Sequence, residues 1–217
     1  MGDEQMKQVL HSVWVLVGMS WAVELPAQGV AITEDRETAA FTVGERAYEI
    51  ARIQDTSNRL SGPYSLTSRP CPEFCIQPMR AAPGVETLAE LEIIAFLEGP
   101  VSDGRGLLID TRSPDAFAAG SIPGAVNVPG SVLSPENPYI AQVLEALGGR
   151  PNGSRFNFDG AFELALYGDG PWAEEAAAAI RDLVSVGYPK AKLGYYRGGM
   201  QGWMSFGLTV ADTRSGG

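Results

Sequence analysis

Three stretches carry residue types at spacings that could do chemistry. "SRPCPEFCIQPM" holds both cysteines of the chain, Cys71 and Cys75, in C-x-x-x-C spacing. "GLLIDTR" ends an apolar run with the charged pair Asp110 and Arg112. "LALYGDGPWAEEAAAAI", residues 164–180, passes from an apolar run through a Gly/Pro turn into an alanine-rich helix. A helix start presents unpaired N–H groups and the positive end of the macrodipole, so a turn of this kind favours an anion or a thiolate. A nucleophile with a base is harder to find. The single histidine is His11, near the start of the chain, and without one no His-supported Ser, Cys or Asp site can be built elsewhere. Ser121 and Tyr167 offer hydroxyls with no base beside them.

Three readings of the cysteine pair stay open: a small-loop disulfide, free or buried thiols, and a redox role. The spacing is not the C-x-x-C of thiol oxidoreductases. Structural zinc asks for four Cys/His ligands, and the chain has two cysteines and His11. Neither a metal nor a cofactor is expected.

The disulfide depends on the compartment, and residues 1–28 bear on that. An apolar run from Val9 to Val23 follows Lys7, and Ser20 and Ala22 flank Trp21 like a cleavage site. Translation from Met6 would remove Asp3 and Glu4, which suit a leader poorly. The run is shorter than the ~20 residues that span a bilayer. It reads as an export signal to a periplasmic destination, with a membrane anchor over 9–23 and a packing helix as alternatives. Membrane contact is expected only through this leader, if uncleaved.

The other elements must position the chemistry. The 217 residues carry 16 basic and 26 acidic side chains, a net charge of −10. Such a chain gains little from counterion release on a phosphate backbone, so no nucleic-acid partner is expected. Residues 29–85 form an extension. Within it "AFTVGERAYEIARI" predicts two short strands around Gly44, with Phe41/Val43 and Tyr48/Ile50 alternating, and residues 61–84 predict a loop around the cysteines. From Glu86 to residue 212 the pattern is regular. Thr87 and Glu90 predict a capping box, with Leu88, Leu91, Ile94 and Leu97 on one helical face. "GLLID", "AVNVP", "FELALY" and "KLGYY" predict strands. Helices are predicted with Ser113 as N-cap and Pro114 at the first position, from the same Ser-Pro start to the Gly stop in "SPENPYIAQVLEALGG", over 173–186 and in "GGMQGWMSFG". Residues 213–217 read as a tail. Alternating strands and helices of this length predict an α/β fold with a mainly parallel sheet flanked by helices, whose ligands sit beyond the carboxyl ends of the strands. The loop at 168–173 lies at such an end.

The order of segments resembles the rhodanese-like (sulfurtransferase-fold) domain over roughly 86–210. "LLIDTRSPDAFAAGSIPGAVNVP" resembles the family's first signature, with Asp110, Arg112, Gly120, Ile122, Pro123, Gly124 and Ala125 in place and Ser121 where histidine is usual. "YYRGGMQGW" and "GLTV" resemble the closing signature, with Gly198, Gly199, Trp203 and Gly207. The chain also resembles exported members with a Cys-Pro-x-Phe-Cys segment before the domain. In active members a cysteine follows the central strand and its persulfide rests in the loop; the resemblance places Gly168 at that position. Gly168, Asp169, Gly170, Pro171, Trp172 and Ala173 are then an active-site loop without its nucleophile. Asp110, Arg112 and Ser121 are implied as its supports, the first two either as an ion pair ordering the strand end or as ligand contacts. Trp203 is expected as a core anchor. Trp172 is either a contact residue or packed under the loop.

Two functions follow as expectations. The first is a non-catalytic binding or assembly module of the cell envelope, with an unidentified protein partner or a small sulfur or oxyanion ligand. The alternative is a sulfurtransferase or thiol-redox protein using Cys71 and Cys75.

Overall fold

The computed structural model describes residues 29–72 and 74–211; the leader, its apolar run and the tail lie outside them. The centre is a five-stranded, wholly parallel sheet. Its strands are β3 (Glu86–Leu88), β4 (Gly106–Asp110), β5 (Val126–Asn127), β8 (Glu163–Tyr167) and β9 (Leu193–Tyr196), in the order β3-β9-β8-β4-β5. Two antiparallel hairpins are added, β1 (Ala39–Val43) with β2 (Arg46–Ile50), and β6 (Arg150–Asn152) with β7 (Arg155–Asn157). The helices are α1 (Glu90–Phe96), α2 (Pro114–Ala119), α3 (Ile140–Ala146), α4 (Glu175–Ser185) and α5 (Gly199–Ser205).

The strands read as continuous apolar runs because both faces of the sheet are covered. On β8, Leu164 and Leu166 face one core with α3 and α4, while Ala165 and Tyr167 face a second core with α1 and α5. On β4, Ile109 and Leu108 divide the same way. The first core is tight because α4 presents Ala176, Ala177 and Ala179 beside Ile180 and Leu183. Trp203, fully buried, anchors the second and donates its indole N–H to Thr209 O at 2.8 Å. The β1/β2 hairpin completes that core through Ala39, Phe41 and Ile50. The hairpin of the extension thus packs on the sheet's second face, while Ala81, Ala82 and Val85 at its end join the first core.

Several expected boundaries move. Only half of a capping box forms, at Ala89 rather than Thr87: the Glu92 carboxylate accepts from the Ala89 N–H at 3.1 Å, and alanine has no side-chain acceptor to return the bond. Thr87 instead lies in β3, since residues 86–88 are drawn into pairing with β9. Helix α1 consequently buries Ile93 and Ile94, with Leu97 buried just after its end, and leaves Leu91 half exposed. In "SPENPYIAQVLEALGG" the helix starts at Ile140 rather than after Ser134-Pro135, because turns occupy the intervening residues. Helix α2 starts as expected, with Ser113 as N-cap and Pro114 in the first turn.

Candidate functional site

Strand β8 ends at Tyr167, loop 168–173 follows, and α4 starts at Glu175. The loop is docked by its carbonyls on the start of α5. Gly168 O accepts from Met200 N at 3.0 Å, and Asp169 O from Gln201 N at 2.8 Å. This close approach explains Gly199. Its φ is +56°, and a Cβ there would stand 2.4 Å from Gly168 O and 2.7 Å from Gly170 N. Gly168 is different. The nearest atoms to a Cβ on it would be Glu175 Oε2 at 3.5 Å, Ala173 Cβ at 3.7 Å and Thr111 Oγ1 at 3.7 Å, all ordinary contacts. The position accepts a Cβ without a clash.

Beneath the loop lies a buried charge network. Arg112 donates to both carboxylate oxygens of Asp110, with Nη2 at 2.6 Å and Nε at 2.9 and 3.2 Å; both side chains are nearly inaccessible. Burial alone would lower the Arg112 pKa, but the hydrogen bonds and charge of Asp110 outweigh it and hold the guanidinium protonated. Arg112 also donates to Gly120 O at 2.7 Å and to the Tyr64 hydroxyl at 3.0 Å. The Tyr64 hydroxyl in turn donates to Asp169 Oδ1 at 2.6 Å, which stands 3.5 Å from Arg112 Nη1. Burial first, and then Asp169, push the Tyr64 phenol well above its usual pKa, so it remains a donor. Thr111 holds the end of β8, its N–H and hydroxyl both donating to Tyr167 O.

Above the loop, the extension forms a cover. Cys71 and Cys75 are joined in a disulfide, with Cα atoms 4.7 Å apart. Phe74, between them, meets Trp172 edge-on at 5.2 Å. The Arg69 guanidinium lies over Trp172 at 4.1 Å and over Phe74 at 4.7 Å. The Gln77 N–H donates to Pro171 O at 2.9 Å, and Arg197, just after β9, donates to Gln77 O through Nε and Nη2. Trp172 donates its indole N–H to Gln201 Oε1 at 2.9 Å, and Gln201 Nε2 donates to Tyr64 O. Between cover and loop remains a cleft of about 600 Å³, lined by Tyr64, Arg69, Phe74, Asp169, Trp172 and Glu175 among others. Its acids are partly committed: Asp169 to Tyr64 and Arg112, Glu174 to Arg181 at 3.0 Å. Among the described residues no group of three His, Cys, Asp or Glu side chains is placed to hold a metal.

The rhodanese-like domain profile matches residues 95–206, just over half of the chain. The chain belongs to the rhodanese-like domain family. The rhodanese-like domain here is also similar to several solved structures. One is a protein of unknown function from Rhodopseudomonas palustris, described as a possible tyrosine phosphatase (21% identity, 60% of this chain and 88% of that one, TM-score 0.43). Another is the human single-domain sulfurtransferase (24%, 56% and 96%, TM-score 0.38). A third is a thiosulfate sulfurtransferase from Pseudomonas aeruginosa, of which the matched part is 20% (21%, 58% of this chain, TM-score 0.43). No curated protein matches the chain.

In the rhodanese-like domain the structure brings Asp110, Arg112 and Asp169 together, as an ion pair extended to the loop. Ser121 lies next to Gly120, is buried, and exchanges backbone hydrogen bonds with Ala211. Trp172 is packed, but under the extension rather than under its own loop. Sequence reasoning missed Tyr64, Arg69, Phe74, Gln77 and Gln201. They reach the loop from as far as 105 residues away, as Tyr64 does to Asp169, and the Pro/Ser-rich extension shows no periodicity to announce it.

Proposed function

We propose that this rhodanese-like domain is a non-catalytic binding or assembly module in which the loop's shape is kept and its nucleophile is missing. The observation that supports this most is Gly168. It follows the central strand where the family resemblance places the reactive cysteine, and glycine supplies no nucleophile. The chain's two cysteines are bonded to each other, so neither is a free thiol in this state. Glu175 Oε2, beside the space a side chain at 168 would fill, adds repulsion against an incoming sulfur oxyanion. The apolar leader supports an exported, periplasmic setting, in which the disulfide would persist.

Gly168→Cys tests this directly. A Cβ fits, so the variant is expected to fold and to take up sulfane sulfur from thiosulfate as a persulfide seen by mass spectrometry, while wild type gains no mass. Adding Glu175→Gln should lower the new thiol's pKa by about one unit, the scale of one solvent-exposed charge at ~4 Å. Persulfide on the wild-type chain would overturn the proposal. A folded but inert Gly168→Cys would show that the cradle has been lost as well.

A further inference from the structure

The contacts of the cover converge on its disulfide. Arg69 lies two residues before Cys71, Phe74 lies inside the ring, and Gln77 lies two residues after Cys75. All three touch loop residues, Arg69 and Phe74 through Trp172 and Gln77 through Pro171. Among the described residues, other hydrogen bonds to this segment include those of Arg69 to Pro63 O, of the Thr87 hydroxyl to Met79 O and of Arg197 to Gln77 O. Among the described residues of 66–80 there is no regular element, and Leu66, Ile76 and Met79 are exposed. A chain of this kind has many alternative conformations, and a ring closed by a disulfide removes much of that freedom. The bond is also reachable, since Cys71 is exposed.

We propose that Cys71–Cys75 is a redox latch: a dithiol reductant opens it, and the cover then releases the 168–173 loop. The chemistry is thiol–disulfide exchange. A reductant thiolate attacks Cys71 Sγ, the Cys71–Cys75 bond breaks, and Cys75 leaves as a thiolate that takes up a proton. The reductant's second thiol, as thiolate, then displaces Cys71 from the mixed disulfide. Two electrons and two protons pass to the protein, and the reductant ends as its own disulfide. Without the ring, Phe74 and Arg69 are no longer held against Trp172, and one wall of the cleft is lost. The latch regulates the site proposed above and rests on that reading for its purpose, although the opening itself does not depend on Gly168.

The probe is the Trp172 indole N–H, now bonded to Gln201. Its NMR signal in the full chain is assigned with Trp172→Phe, and the buried Trp203 indole serves as internal control. Dithiothreitol is added until thiol titration shows both cysteines reduced. Solvent exchange of the Trp172 indole N–H should then rise roughly tenfold, the effect of losing one ring–ring and one cation–π contact, while Trp203 stays unchanged. Oxidised Phe74→Ala should move Trp172 in the same direction with the disulfide intact. An unchanged Trp172 signal after complete reduction overturns the latch. So does an equal change at Trp203, which would make the bond a support of the whole fold, or an unmoved Trp172 in Phe74→Ala. Wild-type sulfur transfer would refute the non-catalytic reading and leave these signals as they are.

Discussion

Replacing Asp110 with Asn keeps the shape of the side chain and removes its charge. Asp110 is fully buried, and among the described residues it is the only carboxylate hydrogen-bonded to the Arg112 guanidinium. The change leaves a buried cation facing a neutral amide, the circumstance in which breaking a buried pair costs about 3–5 kcal/mol. For a chain of this size each kcal/mol lowers Tm by roughly 2–4 °C, so a fall of about 6–20 °C is expected. Asp169, 3.5 Å from Arg112 Nη1 but partly solvated, recovers part of that loss and favours the lower end. Thermal unfolding followed by circular dichroism reads the shift. Asp110→Asn with Arg112→Met should recover stability relative to the single variant, because the uncompensated charge is gone; what stays lost are the bonds to Gly120 O and the Tyr64 hydroxyl. A single-variant shift under about 2 °C, or a double variant worse than the single, would refute the reasoning that this pair carries its charge at the expense of solvation.

Tyr64→Phe removes the hydroxyl that links Arg112 to Asp169 and should cost about 1–3 kcal/mol in urea unfolding. Gly199→Ala drives a methyl into the Gly168 carbonyl at a left-handed φ; a loss on the order of 2–4 kcal/mol is expected, with altered near-ultraviolet dichroism. The carboxyl of Asp182 has its pKa raised by burial and then by Glu136. A raised folded-state pKa means that its stabilising contribution is full below the unfolded pKa and lost as pH rises through the folded one. Asp182→Asn should therefore raise Tm at pH 7 relative to wild type, and the advantage should vanish near pH 3.

The sheet was legible because burial on both faces leaves a direct mark: "GLLID", "FELALY" and "KLGYY" are apolar at nearly every position. The start of α2 was legible for the same local reason, in Ser113-Pro114. β3 was hidden, since "ETL" has no apolar run and becomes a strand through pairing with β9; that pairing also moved the cap of α1 to Ala89. The loop could be found from strand, turn and helix, while the proposed loss of its nucleophile rests on one residue, Gly168, placed by the family resemblance. Its cover could not be found. The contacts of Tyr64, Arg69 and Phe74 with Asp169 and Trp172 are tertiary choices of an irregular segment, and irregular backbone carries no period from which to infer a partner.

Steady-state sulfur transfer from thiosulfate to cyanide, read as thiocyanate, tests the proposed lack of a nucleophile most directly. Wild type, oxidised and reduced, is expected to give the no-protein background. A wild-type rate above that background, lost in Cys71→Ala, would contradict it and return the chemistry to the cysteine pair.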